Sequence, residues 1–220
     1  MYGGLDDATL LLHYGMVWRA EEEEEEEGEG SEEGEGEDEY EVEARDANPF
    51  DSVRLGARAV RAPSGEDAAW LRELRLCEGG HHLTRDGPSE GLRAHLRLAN
   101  MNLGERRAGG RARVARGEPV SARSEALVWA AALELATSSL RTLRASRTAA
   151  GAAARAGASD GAVRLAARWR ANQISVALAA SHRCDEALAA LTPGGVADAG
   201  RAGLRPRGVT RCTLAEACLV

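Results

Sequence analysis

Residues whose types could do chemistry are few and scattered along these 220 positions. Cys77 stands four residues before the pair His81-His82, and His182 stands two residues before Cys184. These are zinc-binding residue types, but a zinc site is usually built on a paired knuckle such as Cys-x-x-Cys, and the four cysteines, Cys77, Cys184, Cys212 and Cys218, form none. No metal site is expected; the cysteines read as free thiols in a reducing compartment. His13 beside Tyr14 offers an acid and base pair, yet neighbours on a strand point to opposite faces and rarely enter one pocket. No glycine phosphate loop, Ser-His-Asp signature, zinc helix or nucleophile elbow appears. Residue types alone therefore reach only a mostly helical domain.

The elements that must position these residues fall into blocks of different composition. Residues 21–43 hold 16 of the 35 acids and no Arg, with Gly28, Gly30, Gly34 and Gly36 among them. Repulsion between like charges, glycine entropy and the lack of apolar burial predict a solvated, disordered insertion over 20–47. A basic protein partner is the alternative role for that run. The formal net charge of −7 becomes −7 + 16 = +9 once the run is set aside, and all of the positive charge is Arg, because Lys is absent. Arg with abundant Ala and Gly resembles GC-rich codon usage. Nucleic acid is disfavoured as a partner, since the arginines of "RRAGGRARVAR" have no aromatic residues interleaved for stacking. No apolar run approaches the roughly 18 residues of a membrane span, and no basic-then-apolar leader opens the chain, so no membrane association is expected. The compartment is not fixed by anything in the sequence.

Residues 5–19 contain "TLLLHYGMVW", an apolar stretch suited to a buried strand or a short helix-to-strand passage. Asn48-Pro49 predicts a turn leading into an extended piece at "FDSVRL". Helices follow. Ser64 with Asp67 resembles a capping box ahead of "AAWLRELRLC". "HHLTRDGP" reads as extended, and Leu92, Leu96, Ala99 and Leu103 trace one helical stripe. "GERRAGGRARVARGEP" reads as a loop. A long helix over 121–145 carries the stripe Trp129, Leu133, Ala136, Leu140 and Leu143, closed by "TAAGAAARAGASDG". A second over 160–191 places Leu165, Trp169, Asn172, Val176 and Ala179 on one face and Val163, Ala167, Ile174 and Leu178 on an adjoining one, predicting burial on two sides. The two should pack antiparallel, with a loose tail over 193–220.

With the acidic run excised, "DDATLLLHYGMV" leads into "NPFDSVRL", and the joined segment resembles the end of a SET domain of the Rubisco large-subunit methyltransferase type. Tyr14-Gly15 and Asn48-Pro49-Phe50-Asp51 match its two anchors. "GLRAHLRLANM" resembles the leucine and arginine helix of that family's substrate-binding domain, "PVSARSEALVWAAALELATSSL" its long helix opening with an N-cap and a glutamate, and "RWRANQISVAL" its later Arg-x-x-Gln helix. The resemblance implies a mainly α fold: a SET remnant over 1–19, the acidic insertion over 20–47, a helical substrate-binding domain over 48–192 and the tail. It implies S-adenosylmethionine-dependent methylation of a lysine on a protein substrate, with Tyr14 as the active-site tyrosine. A buried tyrosine with a bonded hydroxyl is the alternative for Tyr14. Met16 departs from the family, which has an aromatic there, and the glycine-bearing cofactor strand and the Asn-His segment do not occur in the thirteen residues before Tyr14. The chain alone is therefore expected to be inactive and to bind no cofactor. The competing expectation is a noncatalytic helical interaction module.

Overall fold

The computed structural model describes residues 51–56, 59–60, 64–76, 80–155 and 160–191. The expectations for Tyr14, the acidic insertion, Asn48-Pro49, Cys77 and the tail lie outside these residues. Within them the protein is mainly helical with one small sheet.

The extended piece expected after Pro49 is β1 (Val53–Arg54), and "HHLTRDGP" supplies β2 (His82–Thr84) and β3 (Gly87–Pro88). The strand order is β1-β2-β3, antiparallel throughout, with Leu83 opposite both Val53 and Pro88. Pro88 is tolerated because β3 is an edge strand of this sheet. Gly87 is required: its φ is +106°, and a Cβ there would lie 3.1 Å from the Trp129 ring.

Helix α1 (Gly65–Glu73) begins where the sequence places it. The Ser64 hydroxyl accepts from the Asp67 amide, and Asp67 turns inward and is buried. Helix α2 (Glu90–Asn100) is capped by Ser89 and ends earlier than the leucine stripe suggests. Leu103, the last residue of that stripe, is 64% exposed. Met101 is extended, and Asn102 starts a new helix, α3 (Leu103–Arg107), through a reciprocal capping box with Glu105. The glycine and arginine segment expected as a loop is mostly helical, α3 being followed by α4 (Gly110–Ala115). The reason is electrostatic. Arg106 contacts the Asp67 carboxylate at 3.1 Å and Arg111 at 2.8 Å, tying both helices to α1. Burial alone would raise the Asp67 pKa, but hydrogen bonds from Arg106, Arg111 and Ser64 outweigh it and hold the group below the usual carboxylate range.

Helix α5 (Ala122–Arg155) runs beyond the expected end at 145, through the alanine and glycine stretch. Alanine has the highest helix propensity, and its neighbours absorb the roughly 1 kcal/mol cost of Gly151. Helix α6 (Asp160–Leu191) has the expected bounds. Only four residues separate the two helices and both contribute to one core, so they pack antiparallel, as expected. The buried stripe of α5 runs through Val128, Ala131, Ala132, Leu135, Ala136 and Leu140; it takes in Ala136 and Leu140 of the expected stripe, while Trp129, Leu133 and Leu143 are partly buried against the same core. Helix α6 buries Val176, Ala177, Ala180, Cys184 and Leu188. Burial on two sides holds in part: α6 contacts both α5 and the three strands, and Ile174 packs against the main core, whereas Ala167 is exposed and Leu178 is 45% exposed. The sheet and α2 pack on the α5–α6 pair, and a smaller core of Leu71, Ala94, Leu98, Met101, Val114 and Val120 joins α1, α2 and α4. Among the described residues no helix is long and apolar enough to cross a membrane.

Candidate functional site

A buried ion pair links the two segments that hold the rest in place. Arg97 interrupts the leucines of α2 on its inward side, and Glu125 lies in the first turn of α5. The contact is two-pronged, Nε to Oε1 at 2.7 Å and Nη2 to Oε2 at 2.9 Å, while Nη1 donates to the Gly117 carbonyl at 2.7 Å. The two side chains are 5% and 6% exposed. Carboxylate and guanidinium geometry match here, and the N-terminal position of Glu125 adds favourable helix-dipole interaction. Ser121 caps the same helix, accepting from the Ser124 amide at 3.0 Å, and its hydroxyl also bonds Glu105. One polar seam therefore fixes α2, α3 and α5.

Beside β1, where the chain from Asp51 joins the body, lies a groove of about 230 Å³ lined by Arg75, Leu76, Gly80, His82, Ser89 and Glu90. Its walls are the turn after α1, strand β2 and the start of α2. The Leu55 amide donates to the His81 carbonyl and the Ser89 amide to the His82 carbonyl, so β1, the groove and α2 form a continuous unit. The close approach of the walls depends on Gly91, since a Cβ there would meet the Leu76 carbonyl oxygen at 1.9 Å. Ser89, Glu90 and His82 offer acceptors, and Arg75 and the Leu76 side chain offer a cation and an apolar wall.

Behind the groove, the His81 ring stands edge-on to His95, centroids 4.8 Å apart, and His95 is 2% exposed. Burial, reinforced by the neighbouring His95 and His82, pushes His81 down to about 4. Unfolded His81 takes up a proton near pH 6.5 while the folded form does not, so this contribution is whole above pH 6.5 and is lost as pH falls toward 4. The expected outcome is a thermal midpoint that drops across this window in the native chain and drops less in His81→Phe, measured by circular dichroism. Arg93 stacks over Trp129, 5.4 Å from its centroid, and its Nη2 donates to the Pro88 carbonyl.

Of the residues singled out from sequence, Tyr14, Cys77, Cys212 and Cys218 lie outside the described residues. Cys184 and His182 are not brought together: Cys184 is buried in the main core, while His182 is exposed beside Glu186 at 3.5 Å. Burial pushes the Cys184 thiol up to about 12, so it is neither thiolate ligand nor nucleophile near neutral pH. Among the described residues no group of three or more His, Cys, Asp or Glu is placed to hold a metal. The Arg97–Glu125 pair was not found by sequence reasoning. Its signal was an arginine set between the two leucines of "LRL".

Set against family models, curated proteins and solved structures, the chain matches none of them. The class that fold and groove define is a helical body with a small antiparallel sheet at the point where the preceding chain joins it.

Proposed function

We propose that residues 48–192 are the substrate-binding portion of an S-adenosylmethionine-dependent protein-lysine N-methyltransferase related to the Rubisco large-subunit methyltransferases, with residues 1–19 as the end of its SET domain. The observation that carries this reading is the Arg97–Glu125 pair. It joins two of the segments on which the resemblance rests, "GLRAHLRLANM" and "PVSARSEAL", through the arginine of one and the glutamate of the other. A drift of composition toward Arg and Ala supplies arginines, but it does not place a carboxylate partner for one of them 28 residues on. The groove adds support, because its wall β2 pairs with β1, the first strand after the segment read as the end of the SET core, and it has room for a substrate side chain.

On this reading S-adenosylmethionine supplies the methyl group, and the Tyr14 hydroxyl helps to position the acceptor amine. The body holds the protein substrate. The glycine-bearing strand and the Asn-His segment by which the family holds its cofactor do not occur before Tyr14 in these 220 residues, and one tyrosine does not bind a cofactor. The 220-residue chain is accordingly expected to show no heat of binding with S-adenosylmethionine in titration calorimetry. A micromolar dissociation constant would mean that the cofactor site has been misplaced.

A further inference from the structure

The positive charge of the body is not where the sequence draws the eye. The arginines of the glycine and arginine segment are largely spoken for: Arg106 and Arg111 contact Asp67, Arg111 also contacts Glu66, and Arg116 contacts Glu118. The outer half of the α5–α6 hairpin is different. Between Leu135 and His182 stand seven arginines and one acid, Asp160. Arg141, Arg144 and Arg164 are exposed and Arg168 is half-buried. Arg97, Arg106, Arg111, Arg116, His182 and Arg183 make ion pairs away from these four arginines. Arg141 reaches only the Thr137 carbonyl of its own helix, at 3.4 Å. Arg141 and Arg144 are three apart and Arg164 and Arg168 four apart, so each pair shares a face of its helix.

We propose that this arginine surface is occupied by the chain's own acidic run, residues 21–43. Charge complementarity is the first reason, 16 carboxylates in the run against the outer half of the hairpin, which has seven arginines and a single acid. Reach is the second. A 23-residue chain without secondary structure would span about 5–6 Å × √n, or roughly 26 Å. The run ends eight residues before Asp51, next to β1, whose Val53 shares the main core with Ala180 of α6. Arg168 and Arg164 lie 12 and 16 residues before Ala180, roughly 18 and 24 Å along a helix rising 1.5 Å per residue. A nucleic acid fits less well, because Trp169 is the only aromatic residue in this half of the hairpin and offers no series of stacking platforms. The run thereby screens the hairpin from other polyanions. The proposal does not depend on the methyltransferase reading.

The test compares the full chain with one in which Ala20 is joined to Ala44, using fluorescein-labelled poly-L-glutamate of about 20 residues as the probe in anisotropy titrations. Because a tethered competitor acts at millimolar effective concentration, the deletion is expected to tighten probe binding by about tenfold or more at low salt. The gain should vanish near ~0.5 M salt, where screening shortens the range of the charges to a few Å. It should also vanish in the deleted chain carrying R141Q, R144Q, R164Q and R168Q, glutamine being a good helix former. The matching arginine-to-lysine quadruple must keep it, which separates loss of charge from loss of fold. Equal affinity for full and deleted chains would overturn the proposal, as would a gain that survives the glutamines or is lost with the lysines. A gain that varies with protein concentration would also overturn it, placing the run on a second copy.

Discussion

Replacing Glu125 with alanine is expected to cost about 3–5 kcal/mol of folding stability, because it leaves the Arg97 guanidinium buried without its counter-charge. Arg97 cannot swing into water. It is packed between α2 and α5 at 5% side-chain exposure, and its remaining bond is to the Gly117 carbonyl. For a domain of this size each kcal/mol moves the thermal midpoint by about 2–4 °C, so a loss on the order of 10 °C is expected in a thermal scan. The double variant Arg97→Met with Glu125→Leu removes both charges together and should recover most of that loss, since a buried pair replaced by packed apolar groups is often near neutral. A single Glu125→Ala variant within 1 kcal/mol of the native chain in urea unfolding would show that the pair does not hold the helices together.

Gly91→Ala is the second large effect. The added Cβ would lie 1.9 Å from the Leu76 carbonyl oxygen, a backbone atom, so no side-chain rotation relieves it. Either α2 or the turn after α1 must shift, and overpacking of this kind costs roughly 1–3 kcal/mol or more. The turn is poorly able to yield. Arg75 already sits at φ +56°, and the Leu76 amide is bonded to the Leu71 carbonyl at 3.0 Å. Because the same contact shapes the groove, Gly91→Ala is expected to open that groove as well as lower stability. Gly65→Ala is the control: a Cβ there meets nothing within 4 Å, and the helical position favours alanine, so a gain of about 0.4–1 kcal/mol is expected. Equal effects at the two glycines by urea unfolding would contradict the packing described here.

The helices were legible in the sequence where a side chain commits the backbone locally. Ser64 caps α1, Leu92 and Leu96 repeat at helical spacing and are buried, and so are Asn172 and Val176. What was not legible depended on distant partners. The arginine segment after Asn100 reads as a loop until Asp67, some 40 residues earlier in the chain, is seen to anchor Arg106 and Arg111. The end of α5 was misjudged because an alanine and glycine run lacks a stripe, although alanine sustains a helix without one. The burial phase of α6 was drawn too wide. Its contacts are made with α5 and the sheet, and Leu178 remains outside them, 45% exposed. The candidate groove had no sequence signal, since it is defined by Leu76 lying over Gly91. Tyr14 was legible only through the resemblance.

The central claim is tested most directly by methyl transfer. A cofactor-holding SET core of the Rubisco large-subunit methyltransferase type, with its glycine strand and Asn-His segment, is fused ahead of Leu5, and calorimetry confirms that the fusion binds S-adenosylmethionine. Transfer of a labelled methyl group to lysines is then measured across an array of folded proteins. The expected result is methyl-lysine on a restricted set of substrates, lost in Tyr14→Phe and weakened through KM in the groove substitution Glu90→Gln. A fusion that holds the cofactor yet methylates no protein, or whose transfer is indifferent to Tyr14, would contradict the account and leave a helical interaction module in its place.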